Sequence, residues 1–292
     1  MKRKQAIQLM TTSAVGIGIM ANSGCGPAEK KDESAEDQGL MGNVNHSACK
    51  WCYDSISLDQ FCEIATEIGL VGIDLLKPSE WKTVVDEGLR CTMGNPEEFS
   101  LTDGFNDPSI HEQLQETYAE IIPIAADLGL KNIICFSGNS KGLDLETGLE
   151  NCAVGLDPLV KLAEQHDIQI MMELLNSKVD HQDYMCDKTP WGVALCEKIG
   201  SPNFQLLYDI YHMQIMEGDV IATIKKYNKY IGHYHTGGVP GRNEIDETQE
   251  LYYPAIVRAI LETGFQGVLA QEFIPKADPV TSLKEAVQIC DV

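Results

Sequence analysis

From residue 46 to the C-terminus, short apolar runs alternate with longer amphipathic ones, and few architectures accept that pattern. The short runs are strand candidates: Ser47–Tyr53, Gly72–Leu75, Arg90–Met93, Asn132–Phe136, Gln169–Glu173, Gln205–Asp209, Tyr230–His235 and Gly267–Glu272. Each is too short for a helix and is followed by enough chain for a crossover helix, so the strands are expected to lie parallel. Eight such units are the number that closes a sheet into a barrel. The expected fold class is therefore α/β, a single (β/α)₈ TIM barrel.

The segments between the strands carry helix punctuation. Ser57-Leu58-Asp59-Gln60 opens a run that ends at Gly69, and Asp107-Pro108 opens one that ends at Gly129. At Gly69-Leu70-Val71-Gly72 and Gly264-Phe265-Gln266-Gly267 a helix-ending glycine feeds straight into a strand. No Pro/Ser-rich linker or block of like charge follows residue 45, which favours one domain over 46–292. An open doubly wound sheet would need a glycine-rich dinucleotide turn, and no GxGxxG follows a strand here.

In such a barrel the working groups stand at the C-terminal ends of the strands. Four consecutive ends carry metal-type ligands: Glu173 closes Ile170-Met171-Met172, Asp209 closes Leu206-Leu207-Tyr208, His235 closes Gly232-His233-Tyr234, and Glu272 closes Leu269-Ala270-Gln271. An ionised group at the end of an apolar run is costly unless it is paired or bound to a cation. Any one of them alone reads as a solvated strand end; four in a row point to a divalent metal. Three carboxylates and one imidazole suit Mn²⁺ or Mg²⁺ best, with Co²⁺ or Zn²⁺ also compatible.

Here the sequence resembles a known family, the sugar isomerase and epimerase barrels that look like xylose isomerase, and within them the hydroxypyruvate isomerase and ketose 3-epimerase branch. The resemblance runs over about residues 46–290 and rests on Glu173-Leu174-Leu175-Asn176, Tyr208-Asp209-Ile210-Tyr211-His212-Met213, Gly232-His233-Tyr234-His235-Thr236-Gly237, Pro240-Gly241-Arg242-Asn243-Glu244 and Gln271-Glu272-Phe273, with weaker support from Gly104-Phe105-Asn106-Asp107-Pro108. It implies that Glu173, Asp209, His235 and Glu272 hold the metal, that Glu173 and Glu272 also transfer protons on opposite faces of the substrate, and that His212 and Arg242 grip substrate oxygens. Hydroxypyruvate isomerases often place Gln as the seventh-strand ligand, whereas His235 follows the epimerases.

Other residues near the strand ends carry weaker expectations. His233 is assigned to the helix layer, on the alternation of strand side chains. Lys178, His181 and Lys276 either meet a carboxylate or are solvated. Trp51 and Tyr53 either wall the pocket or pack. Asn176 either bonds a substrate hydroxyl or orients Glu173.

Composition narrows the partners. Lys plus Arg count 22 and Asp plus Glu 44, a formal charge of −22, so a nucleic-acid partner is not expected and a small-molecule substrate is. The ten cysteines fall mostly within apolar elements; Cys62, Cys135, Cys196 and Cys290 read as core, and the Cys49/Cys52 pair has no second pair to complete a zinc site. The N-terminus reads as an export signal over residues 1–25, with Lys2-Arg3-Lys4, an apolar run from Ala6 to Ala21, and Cys25 in a lipoprotein-type context. Residues 26–45 then read as a flexible tether. The expected location is periplasmic or membrane-anchored through a lipid at Cys25, the alternative being a cytoplasmic protein with a disordered leader. A homo-oligomer is compatible with all of this.

The leading expectation is a metal-dependent isomerase working through an enediolate on a small hydroxy-carbonyl compound, hydroxypyruvate being the family-level substrate and tartronate semialdehyde the product. The rivals are a ketose 3-epimerase or keto-glycoside lyase of the same barrel, an abasic-site endonuclease, which would need more histidines and a basic groove, and a non-catalytic sugar-binding lipoprotein, which would not need two glutamates.

Overall fold

The computed structural model describes residues 39–98 and 100–292. Eight strands, β1 (Asn45–Cys49), β2 (Gly72–Leu76), β3 (Arg90–Gly94), β4 (Asn132–Cys135), β5 (Gln169–Glu173), β6 (Phe204–Asp209), β7 (Ile231–Thr236) and β8 (Val268–Gln271), form one closed barrel in sequence order. All of the strand pairings are parallel, the closing β1–β8 pair included.

Around the barrel run α1 (Leu58–Ile68), α2 (Pro78–Asp86), α3 (His111–Asp127), α4 (Leu145–His166), α5 (Thr189–Ile199), α6 (Ile210–Met216), α7 (Val220–Tyr227), α8 (Tyr253–Glu262) and α9 (Pro279–Cys290). The α1 unit shows how sequence makes one repeat. The Ser57 side chain accepts from Gln60 N–H and opens the helix; Phe61, Cys62 and Ala65 form its buried stripe. Gly69, at φ 89°, stops it by donating to the Ala65 and Thr66 carbonyls. Gly72 then starts β2, where a Cβ would meet the Arg90 carbonyl oxygen at 2.1 Å, so only glycine lets β2 and β3 approach. Cys62, Cys135, Cys196 and Cys290 are all buried, as the apolar context of each implied.

Two boundaries differ from the sequence reading. β1 ends at Cys49, and Lys50–Tyr53 turn into a 3₁₀ helix, tied by Lys50 Nζ donating to the Tyr53 carbonyl. That turn carries Trp51 across the barrel mouth. At the other boundary, residues 39–45 are not tether. Leu40 packs on the core, Met41 N–H donates to Asp291, Asn43 donates to the Val292 carbonyl, and Asn45 already belongs to β1. The rest of the expected tether, the export signal and Cys25 lie outside the described residues. Among the described residues no helix is long and apolar enough to cross a membrane.

The register aligns the functional ends. Asp209 of β6 pairs directly with His235 of β7, while Glu173 of β5 pairs with Leu207, two residues before Asp209. Glu272 follows the last residue of β8 and is held by its N–H donating to the Thr236 carbonyl.

Candidate functional site

Glu173, Asp209, His235 and Glu272 converge at the C-terminal mouth, all buried, with one ligand-type atom from each within 4.8 Å of the others. His235 Nδ1 lies 2.5 Å from Glu272 Oε2 and 3.6 Å from Glu173 Oε1. Asp209 caps the short helix α6: its Oδ1 accepts from His212 N–H at 3.0 Å, which fixes the carboxylate and leaves Oδ2 facing the mouth. There it meets Arg242 Nη2 at 2.7 Å, and the same guanidinium nitrogen contacts Glu272 Oε2. Trp51 Nε1 donates to Glu272 Oε1 at 2.7 Å, so both oxygens of Glu272 are engaged.

Three carboxylates and the Arg242 guanidinium share this pocket; burial lifts all three carboxyls, and the charges beside each set them apart. Glu173 is pushed up to about 7 by burial, with the Glu272 charge adding and His235 opposing. Burial likewise lifts Asp209 to about 6 against the pull of Arg242. Burial would lift Glu272 too, but Arg242 and His235 outweigh it and hold it at about 2. One glutamate thus sits near neutrality while its partner stays ionised, the separation that acid–base work requires. Arg242 alone offsets only part of the negative charge, and four buried oxygen and nitrogen donors on one centre fit a divalent cation.

Arg242 and His212 lie against the cluster. Arg242, a non-glycine residue at φ 55°, stacks its guanidinium over Tyr211 at 4.9 Å. His212 is kept neutral by burial and by Arg242. Asn176 directs its side-chain hydrogen bonds to Asp180, His212 and the Val179 and Asp180 N–H groups rather than to Glu173. Its Oδ1 accepts from the N–H groups of Val179 and Asp180, which turns Nδ2 toward Asp180 Oδ2 at 2.6 Å and His212 Nδ1 at 2.7 Å. His212 thus stands between Asn176 at Nδ1 and Arg242, whose Nη1 lies 2.7 Å from Nε2. Arg242 and His212 both line the cavity at the mouth.

His233 requires a correction. Side chains alternate along a strand, so residues two apart share a face, and His233 points into the barrel with His235 rather than toward the helices. Its Nε2 lies 2.6 Å from Asp74 Oδ2, and His235 Nε2 lies 3.1 Å from the same oxygen. Asp74 is the residue that the strand-end reading missed, although an ionisable residue within Gly72-Ile73-Asp74-Leu75-Leu76 is a visible signal. Burial alone would raise its carboxyl; His233 and His235 outweigh this and hold it far below the usual carboxylate range.

The remaining candidates divide. Trp51 and His181 line a cavity of about 630 Å³ above Glu173, His212, Arg242 and Glu272, with Leu75, Leu101, Phe136 and Leu175 forming its apolar wall and Lys77 at its edge. Tyr53 packs, stacked on Phe61 at 4.9 Å. Lys178 meets no carboxylate; it donates to the Ile215 and Met216 carbonyls at the end of α6. Lys276 is exposed. Cys49 Sγ approaches His235 Nε2 at 3.9 Å, while Cys52 is half-buried, and both are free thiols.

Comparison with known proteins gives a consistent family. The hydroxypyruvate isomerase of Escherichia coli (strain K12) is 29% identical over 182 residues, 61% of this chain and 68% of that protein. The 2-oxo-tetronate isomerase of Cupriavidus necator is 33% identical over 131 residues, 45% of this chain and 48% of that protein. The match spans 65% of the length of a human relative and 43% of a mouse one. Among solved structures, an AP endonuclease of family 2 from Brucella melitensis superposes with a TM-score of 0.74 at 22% identity, over 82% of this chain and 97% of its own. An L-ribulose 3-epimerase superposes with a TM-score of 0.67 at 19% identity, over 83% and 86%. The family model described as a xylose isomerase-like TIM barrel matches residues 76–291. With the closed barrel and the four converging strand ends, that match makes the chain a member of the xylose isomerase-like TIM barrel family.

Proposed function

We propose that this protein is a divalent-metal-dependent isomerase that moves a proton from a hydroxyl-bearing carbon to the adjacent carbonyl carbon, with a short 2-oxo acid such as hydroxypyruvate as substrate and tartronate semialdehyde as product. The observation that carries the reading is the glutamate pair at the mouth: Glu173 near neutrality, Glu272 ionised, both against the same imidazole. The names of the bacterial relatives support the substrate class. A bound cation would supply Lewis-acid stabilisation of the negative charge that develops on the substrate oxygens. Glu173, Asp209, His235 and Glu272 would hold it.

This chain's residues do the rest. Arg242, with His212 against its Nη1, donates to a substrate oxygen and orients the carbonyl. One glutamate takes the proton from the hydroxyl-bearing carbon beside it, giving an enediolate, and a glutamate returns a proton to the former carbonyl carbon, while the hydroxyl proton passes from one substrate oxygen to the other. Trp51 and the apolar wall keep bulk water from that carbanion-like species.

A second reading, a ketose 3-epimerase or keto-glycoside lyase, is favoured by one observation. A cavity of about 630 Å³ lies within the ~300–1,000 Å³ range that holds drug-sized ligands, more room than a three-carbon acid needs. The test is a parallel assay of the Mn²⁺-loaded protein with hydroxypyruvate, free ketoses and 3-keto-glycosides in heavy water. The first reading expects tartronate semialdehyde carrying solvent deuterium. Turnover of the sugars alone would replace it with the second, and no turnover or exchange with any of them would sink both.

A further inference from the structure

Asp74 lies in the middle of β2, across the barrel from β7, and is wholly buried. Its acceptor capacity is filled. Oδ1 accepts from Ser47 Oγ of β1 at 2.7 Å and from Thr92 Oγ1 of β3; Oδ2 faces His233 Nε2 at 2.6 Å and His235 Nε2 at 3.1 Å. An ionised carboxylate has no proton to give, so each group that bonds it must bring one. Both imidazoles therefore carry a proton on Nε2. For His235 this leaves the other nitrogen, Nδ1, turned toward Glu173 and Glu272.

We propose that Asp74 is a positioning residue for the metal centre: it fixes the ring plane of His235 and keeps its Nε2 protonated, so that Nδ1 is the atom offered to the cation, while Ser47, Thr92 and His233 fix Asp74. The proposal rests on the metal-site reading for its purpose, but the tautomer it assigns is a property of the chain. Carboxylates behind metal-bound imidazoles commonly do this work, and losing one typically weakens the metal by ~10–100-fold. Cys49, Asp74 and His235 also lie close enough together to suggest a second metal site. The four donors already on Asp74 argue otherwise: its oxygens have no lone pair left for an ion, and Cys49 Sγ, 3.9 Å from His235 Nε2, sits beside a hydrogen-bond network.

Long-range ¹⁵N–¹H correlation spectroscopy of the wild-type, metal-free protein reads the assignment directly. His235 Nε2 should show the shift of a protonated nitrogen, whatever Nδ1 carries; an Nε2 with the shift of a bare lone pair overturns the proposal. The second arm is Zn²⁺ affinity, measured by competition with a chromophoric chelator. Asp74→Asn, nearly isosteric, should bind Zn²⁺ ~10–100-fold more weakly with an unchanged circular dichroism spectrum, and His233→Gln, one step further out, should lose less. A folded Asp74→Asn protein with wild-type affinity contradicts the positioning role. A wild-type protein that binds no Zn²⁺ or Mn²⁺ sinks the isomerase reading instead, with the tautomer still deciding the role of Asp74.

Discussion

The two halves of the barrel rim are built differently. On β5 and β6 the last strand residues are Glu173 and Asp209, with His235 one residue before the end of β7 and Glu272 one residue past β8; on β1–β4 the last residues are Cys49, Leu76, Gly94 and Cys135, none of them charged. Yet both halves are buried to a similar degree. The difference is in what burial does. On the second half it shifts carboxyl groups and concentrates negative charge, while on the first it shapes the apolar wall of the cavity. The first half also sends two polar arms across: Trp51 to Glu272 from the mouth and Asp74 to His235 from the barrel interior. Chemistry is concentrated on one side of the rim, and its alignment is borrowed from the other.

The largest effect that division predicts is on proton transfer. Glu173→Gln and Glu272→Gln keep the shape of the site and remove a proton acceptor, so turnover should fall by roughly 10²–10⁴-fold. Steady-state kinetics with the active substrate check this, and near-normal rates in both variants would break the comparison at its working half. Trp51→Phe, on the other half, removes one hydrogen bond to an ionised carboxylate, an interaction of about 1.5–3 kcal/mol when buried and less at the half-open mouth, so kcat should drop by about tenfold. Leu101→Ala, in the apolar wall, should raise KM up to about tenfold with kcat unchanged, since it removes contacts common to ground and transition states.

The pH dependence of stability gives a smaller, separate handle. In the metal-free protein the Glu173 carboxyl, at about 7, lies above its unfolded value of 4.5. The folded state then binds the extra proton between those values, so stability is full below about 4.5 and is lost as pH rises through 7. Asp209 acts in the same direction. His212, held neutral by burial, acts the other way below its unfolded value, so the Glu173 share, about 1–3 kcal/mol, is read as the difference between wild-type and Glu173→Gln thermal melts. Wild-type stability relative to Glu173→Gln should fall as pH rises through the window; a relative stability that stays constant or rises would contradict the assigned environment.

The barrel was legible because periodicity, glycine stops and strand length all repeat with the βα unit, and the eight strands were located within a few residues. The four converging side chains were legible because each is an ionisable group closing an apolar run. What escaped depended on contacts remote in sequence. Asp74 sits 159 positions from His233, and its role appears only when β2 faces β7 across the barrel. Asn176 is near Glu173 in sequence but serves His212, because the turn after β5 points its amide that way. Trp51 reaches the mouth because β1 gives way to a 3₁₀ turn, a change that apolar patterning does not announce. The error on His233 was different in kind: the alternation rule itself places it beside His235.

The central claim is that Glu173, Asp209, His235 and Glu272 hold one cation, and elemental analysis after exhaustive dialysis tests it most directly. Wild-type protein should retain about one equivalent of a divalent metal, and Asp209→Ala and His235→Ala should lose most of it while keeping the wild-type circular dichroism spectrum. Full metal content in both variants under the same dialysis would show that the ion, if there is one, is held elsewhere.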